Sequence, residues 1–211
     1  MTTSPGTLVL WARHGQNQAN LTRQFSHRRL DLDLTAVGWQ QAEQLATVLA
    51  TRLRRSTEPL ALFSSPLRRA QQTAGAVARR LGAHATVLEG LRELNVGALD
   101  GRNDPEAWAI YRSVLTDWRN GKHDRRFPGG EDWHELRSRL GASLGQIANK
   151  TRGGTAVVIA HGANLRAALP GLANIPDPGN DLDTGQLADL RVTQFDTDLH
   201  VNLLAWRATS I

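Results

Sequence analysis

Short apolar runs alternate along the chain with longer stretches in which apolar residues return every three or four positions. Thr7–Ala12 (TLVLWA), Leu60–Phe63 and Thr155–Ala160 (TAVVIA) are nearly unbroken apolar runs and predict buried strands. From Thr35 onward, Ala42, Leu45, Ala46, Leu49 and Leu53 fall on one helical face. Ser65 and Pro66 predict a cap and first turn for a helix whose stripe is Leu67, Ala70, Ala74, Val77 and Leu81 and which Gly82 stops. Asp104–Pro105 opens a helix with Trp108, Tyr111, Leu115 and Trp118 on one side; Leu136, Leu140, Leu144 and Ile147 mark the next. A short helix after Thr155–Ala160 is expected to end at Pro170. Gly171–Gly185, rich in Pro, Gly, Asp and Asn, predicts an ordered loop or lid, and the tail from Gln186 one or two closing strands. Strand-then-helix alternation predicts an α/β fold: a three-layer α/β/α sandwich on a mostly parallel sheet. No repeat, low-complexity tract or linker interrupts it, so one domain is expected over residues 1–211.

Composition narrows this picture. A chain of 211 residues can bury a core without a covalent staple, and it has no cysteine, which excludes disulfides, thiol catalysis and zinc–thiolate sites. No apolar stretch reaches the ~18 residues of a membrane span. Thr7–Ala12 lacks a basic segment before it and a small-residue cleavage motif after it, so no membrane association and a cytoplasmic location are expected. The formal charge is +5, and Lys122 and Lys150 are the only lysines among 25 basic residues. The arginines are scattered among 20 carboxylates, with no basic run interleaved with aromatics and no helix-turn-helix pattern. A nucleic-acid partner is therefore not expected.

The candidate chemistry lies at strand ends. His14 follows the first strand in A-R-H-G, and His161 follows Thr155–Ala160 in A-H-G. Open parallel sheets bind ligands beyond the carboxyl ends of their strands, and a glycine after each histidine lets the backbone approach a ligand. A lone strand-end histidine is more often structural; two in equivalent places, joined by arginine, favour function. Arg13 adjoins His14, and Arg69 sits in the first turn of a helix just past another strand, where the helix terminus adds positive potential. Two histidines and two arginines make a pocket for a tetrahedral dianion. His27, His84, His123, His134 and His200 lack such contexts and are read as surface or packing residues. For His27, beside Arg23, Arg28 and Arg29, a place at the pocket mouth is the alternative.

In this set the chain resembles the histidine phosphatase superfamily, the phosphoglycerate mutase-like family. Arg13-His14-Gly15 through Asn20 matches its R-H-G-x-x-x-x-N motif. Asp31 through Gly38 resembles D-x-P-L-T-x-x-G, and Ser65 through Ala74 resembles S-x-L-x-R-A-x-x-T-A. Leu91, Glu93, Gly97 and Gly101 match a further motif, Pro128-Gly129-Gly130-Glu131 its P-G-G-E loop, and Ala160-His161-Gly162 its second histidine motif. Asn17 stands where the family usually has Ser or Thr, and Asp33 where it has Pro. The resemblance implies a phosphatase that needs neither metal nor other cofactor and acts on a small phosphorylated metabolite through a phosphohistidine. In it His14 is the nucleophile, Glu93 the proton donor and His161 the third catalytic group, while Arg13, Asn20, Arg69 and Gly162 bind the phosphate. Asp100 is the rival acid to Glu93. Arg125 and Arg126 are candidates for a second anionic group of the substrate, with solvated loop charges the alternative. A cofactor-dependent phosphoglycerate mutase is the alternative enzyme and a non-catalytic phosphate-binding module the alternative outside enzymes. The substrate is not named by the sequence, and a homodimer is compatible with it.

Overall fold

The computed structural model describes residues 6–179, 182–195 and 198–206. Six strands form one sheet in the order β3-β2-β4-β1-β5-β6. They are β1 (Thr7–Arg13), β2 (Leu60–Ser64), β3 (Ala85–Val87), β4 (Thr155–Ala160), β5 (Leu187–Phe195) and β6 (Asp198–Trp206). The pairs β1–β4, β2–β4 and β2–β3 are parallel; β5 and β6 add an antiparallel edge. The helices are α1 (Gln18–Thr22), α2 (Ala36–Leu53), α3 (Arg68–Leu81), α4 (Pro105–Arg119), α5 (Trp133–Thr151) and α6 (Gly162–Ala173). None of them is long and apolar enough to cross a membrane.

The strand alternation sorts the core onto two faces. Leu10, Ala12, Leu62, Val157 and Ile159 pack on one side with Leu45 and Leu49 of α2 and Ala70, Ala74 and Val77 of α3. Val9, Trp11, Phe63, Val158 and Ala160 face the other, with Val114 and Trp118 of α4, Leu136, Leu140 and Leu144 of α5, and Leu165 and Leu169 of α6. This is the expected α/β arrangement with helices on both faces of a mostly parallel sheet.

Register brings the site together. Arg13 pairs with Ala160 and Ser64 with Ile159, so His14, Ser65 and His161, each just past a strand, emerge side by side. Two features differ from the pattern reading. α3 begins at Arg68, and its N-cap Leu67 makes no side-chain capping bond; Ser65 is drawn instead toward His161. α6 runs through Pro170 to Ala173, where Asn174 ends it in the left-handed conformation. A proline in the last turn forfeits one backbone donor and leaves the bonds around it in place. Of the loop expected over 171–185, residues 180 and 181 lie outside the described residues, as do 196–197 and 207–211 of the tail.

Candidate active site

His14 leaves β1 into a turn shaped by two glycines. Gly15 and Gly38 meet so closely that a Cβ on Gly38 would overlap the carbonyl oxygen of Gln16, and one on Gly15 that of Gly38. The approach is fixed by Thr35, whose backbone N–H donates to Gln16 O at 2.9 Å and whose Oγ1 caps α2 by accepting from Gly38 N. His14 is buried, with Nδ1 2.6 Å from Gly15 O. Arg69 Nε donates to His14 Nε2 at 3.0 Å. An acceptor at one nitrogen and a donor at the other fix the ring as the neutral Nδ1–H tautomer, with the Nε2 lone pair turned toward Arg69. Burial, then the charges of Arg69 and Arg13, hold the His14 pKa well below its ordinary value, so the ring is neutral near pH 7.

Arg69 is 3% exposed and occupies the centre of the pocket. Nη1 donates to Ser26 Oγ at 3.1 Å and Nη2 to Ser26 O at 3.0 Å, while Asp31 lies 3.7 Å away. Burial pulls its pKa down to about 10, with Glu93 and Asp31 opposing; it remains a cation at neutral pH. Asp31 also receives the backbone N–H of Arg68, so one carboxylate serves the start of α3 and steadies the arginine. The Arg68 side chain pairs with Asp33 near the surface.

His161 is the N-cap residue of α6 and is fully buried. Its carbonyl accepts from Trp11 Nε1 at 2.9 Å, and its Nε2 lies 2.8 Å from Ser65 Oγ. Nδ1 is 3.4 Å from Arg69 Nη2, and the rings of His14 and His161 are 5.2 Å apart. Burial first, then Arg69, His14 and Arg13, depress its pKa. Arg13 reaches across Gly162, where a Cβ would crowd Arg13 Cδ and Leu182 O, and donates from Nη1 to Leu182 O at 2.6 Å.

Asn17 and Asn20 form a reciprocal capping box on α1, each side-chain oxygen accepting the other's backbone N–H. Both line the pocket with Arg13, His14, Arg69 and Glu93. Two buried donors here, Arg13 Nε and Asn17 Nδ2, have no hydrogen-bond acceptor. Buried donors are nearly always paired, and these two leave the pocket wall with hydrogen-bonding capacity that the protein itself does not use.

Glu93 enters from the segment between the 3₁₀ turns Glu89–Leu91 and Gly97–Leu99. Its Oε1 accepts from Leu94 N at 3.0 Å and from Asn164 N, in the first turn of α6, at 2.9 Å; its Oε2 is 4.0 Å from His161 Nδ1. Arg92 pairs with Glu89 at 2.9 Å. Asp100, the rival acid, accepts the backbone N–H groups of His27, Arg28 and Arg29 at 2.9, 2.8 and 2.6 Å. It is a buried anchor for the loop that carries Ser26, and it does not line the pocket.

The segment bearing Glu93 is held by Glu131 of the P-G-G-E motif and by two residues that motif reading did not single out, Arg139 and Asn164. Arg139 of α5 donates to the carbonyls of Gly90, Arg92 and Glu93 at 2.7, 2.8 and 3.1 Å and pairs through two nitrogens with Glu131 of the P-G-G-E loop. Glu131 also accepts from Asn95 N at 2.8 Å. Asn164, fully buried, donates to Leu91 O and Arg92 O. One signal was available: Arg139 lies three residues after Leu136 and one before Leu140, so a cation sits in the apolar stripe of α5.

Arg126 is tied to Gly130 O, Asp132 and Glu135, and Arg125 lies 3.7 Å from Asp117. His27 is buried, with both ring nitrogens unpaired, and not exposed at a mouth. Phe25, Trp108 and Tyr111 form an aromatic wall of the pocket, with ring centroids 4.5–5.5 Å apart.

Known proteins share this architecture. The chain is 32% identical over 174 residues to a Salmonella paratyphi C protein named probable phosphoglycerate mutase GpmB, covering 80% of this chain and 75% of that one. A mycobacterial glucosyl-3-phosphoglycerate phosphatase superposes with a TM-score of 0.78 at 25% identity over 97% of this chain and 100% of its own. The alpha-ribazole phosphatase of Shigella flexneri shares the fold at a TM-score of 0.72 and 20% identity, over 97% of this chain and 99% of its own. Residues 9–206 match the family model of the histidine phosphatase superfamily (branch 1), and the chain belongs to that superfamily.

Proposed function

We propose that this protein hydrolyses a small-molecule phosphomonoester through a phosphohistidine formed on His14 Nε2. The observation that carries the reading is the pairing of a neutral His14, its Nε2 turned into a cationic pocket, with two buried donors that lack an acceptor. A phosphoryl group entering the pocket takes the Arg69 hydrogen bond from Nε2 onto its own oxygen and frees the lone pair for in-line attack. Arg13, Arg69, Asn17, Asn20 and the backbone at Gly162 supply donors to the non-bridging oxygens. His161 adds one once Nδ1 carries a proton, with Ser65 holding the ring from behind. Preorganised donors of this kind supply most of the rate in phosphoryl transfer.

As the N–P bond forms and the P–O ester bond breaks, Glu93 gives its proton to the leaving oxygen. The carboxylate then takes a proton from water, which attacks phosphorus, breaks the N–P bond and releases inorganic phosphate. The relative named as a probable mutase favours a second reading, in which the phosphoryl group returns to another hydroxyl. That reading needs a cationic grip on a substrate carboxylate, and Arg125 and Arg126 are engaged with Asp117, Asp132 and Glu135. Rapid quenching with a phosphorus-labelled ester should trap one acid-labile phosphoryl group per chain in the wild type and none in His14→Ala. Label persisting in that variant would move the nucleophile elsewhere, and turnover that requires a bisphosphoglycerate would make the enzyme a mutase.

A further inference from the structure

The phosphate pocket is small, about 140 Å³, below the range usual for sites that enclose a whole metabolite. A second cavity of about 440 Å³ adjoins it between α4, α5 and α6, and Ala163 lines both. The two share their helices. α4 gives Trp108 and Tyr111 to the first and, one turn on, Leu115 and Trp118 to the second; α6 continues from Ala163 to Ala167 and Pro170. We infer that the second cavity receives the leaving group of the ester, and that this group is a planar ring system presenting little but carbon.

The walls argue for that chemistry. Trp118 and Trp133 have satisfied indole N–H groups, the first donating to Arg125 O at 2.6 Å and the second to Ala167 O at 3.1 Å. They therefore offer the cavity ring carbon and no polar demand. His123 lies flat against Trp133, with centroids 3.8 Å apart and planes at 12°; Leu115, Ile175 and Pro176 complete an apolar lining. At the rim, Arg119 and Arg166 both bind Asp177, at 2.7 and 2.9 Å. Hydroxyl groups of a polyol would enter such a space largely without partners, at a desolvation cost that ring carbon escapes.

This inference rests on the phosphatase reading, and the test separates the two. The substrates are 2-naphthylmethyl phosphate and n-propyl phosphate, both esters of primary alcohols, so leaving-group chemistry is nearly matched and the difference reports binding. The wild type should favour the naphthyl ester by about tenfold or more in kcat/KM. Ala167→Leu, which fills the cavity, should erase that preference by raising KM for the naphthyl ester while leaving the propyl ester within about twofold. Leu115→Trp, at the opposite wall, should do the same, which guards against a folding defect in one variant. Equal kcat/KM for the two esters, or parallel loss on both in folded variants, would overturn the subsite and leave the phosphatase standing. Turnover of neither ester by the wild type would overturn both.

Discussion

Oε1 of Glu93 is held by the backbone N–H groups of Leu94 and Asn164, so the proton exchange proposed for this side chain runs through Oε2, the oxygen nearer His161. An amide in place of the carboxyl keeps an acceptor for the two backbone donors but cannot release a proton to an alkoxide. Glu93→Gln should therefore slow alkyl phosphate turnover by about 10²–10⁴-fold and cost far less in the first step with p-nitrophenyl phosphate, whose leaving group needs no acid. A p-nitrophenol burst equal to the enzyme concentration, followed by slow turnover, is the expected trace. Asp100 provides the contrast. Its carboxylate takes three backbone N–H groups, and Asp100→Asn loses a charge-assisted anchor under the loop that carries Ser26. Its loss should be one of stability, about 1–3 kcal/mol in urea unfolding, with no dependence on the leaving group. If Asp100→Asn instead shows the leaving-group dependence, the acid is misassigned.

At the scale of elements, the glutamate is set in place by a clamp. Arg139 on α5 gathers three carbonyls of the Gly90–Glu93 stretch, and Glu131 fastens both Arg139 and Asn95. Lysine at 139 keeps the charge but loses the planar fork that meets a carboxylate and several carbonyls at once. Arg139→Lys should lower kcat on alkyl phosphates with KM nearly unchanged, reproduce the leaving-group dependence of Glu93→Gln in weaker form, and spare p-nitrophenyl phosphate. A uniform loss on both substrates would make the clamp merely structural. The same scale explains what the sequence makes legible. β1, β4, α2, α4 and α5 each carry several turns or a full strand of apolar pattern, and that pattern reads at their positions. α1 has five residues and β3 three, too few to express a period, and the two 3₁₀ turns are shaped by contacts distant in sequence. The histidines stand out because each follows an apolar run and precedes glycine. Asn164 and Ser26 do not, because their importance lies in carbonyls and side chains brought near only by the fold. Ser65 sits where a cap is expected, yet its hydroxyl lies 2.8 Å from His161 Nε2, a preference set by the parallel register of β2 and β4.

The whole molecule keeps three histidines buried and neutral, which ties its stability to pH. His14 and His161 have lowered pKa values through burial and nearby arginine. His27, unpaired at both ring nitrogens, is lowered to about 4, chiefly by burial, with Asp100 and Glu131 opposing. In the unfolded chain each titrates near 6.5. Between that value and the folded one the unfolded state binds more protons, so unfolding becomes easier as pH falls, by up to about 1.4 kcal/mol per pH unit for each histidine. Above about pH 7 all three are neutral in both states, and this dependence vanishes. Urea midpoints measured from pH 8 to pH 5 should be flat at first and then fall, over a range in which ordinary carboxylates remain ionised. His27→Leu separates this cause from others, because it removes one of the three groups at a position that does not line the pocket of His14 and Arg69. The variant should lose a share of the acid slope and should be more stable relative to wild type at pH 5 than at pH 8. An unaltered slope would mean that His27 finds a proton-bound partner in the folded chain and does not oppose folding in acid.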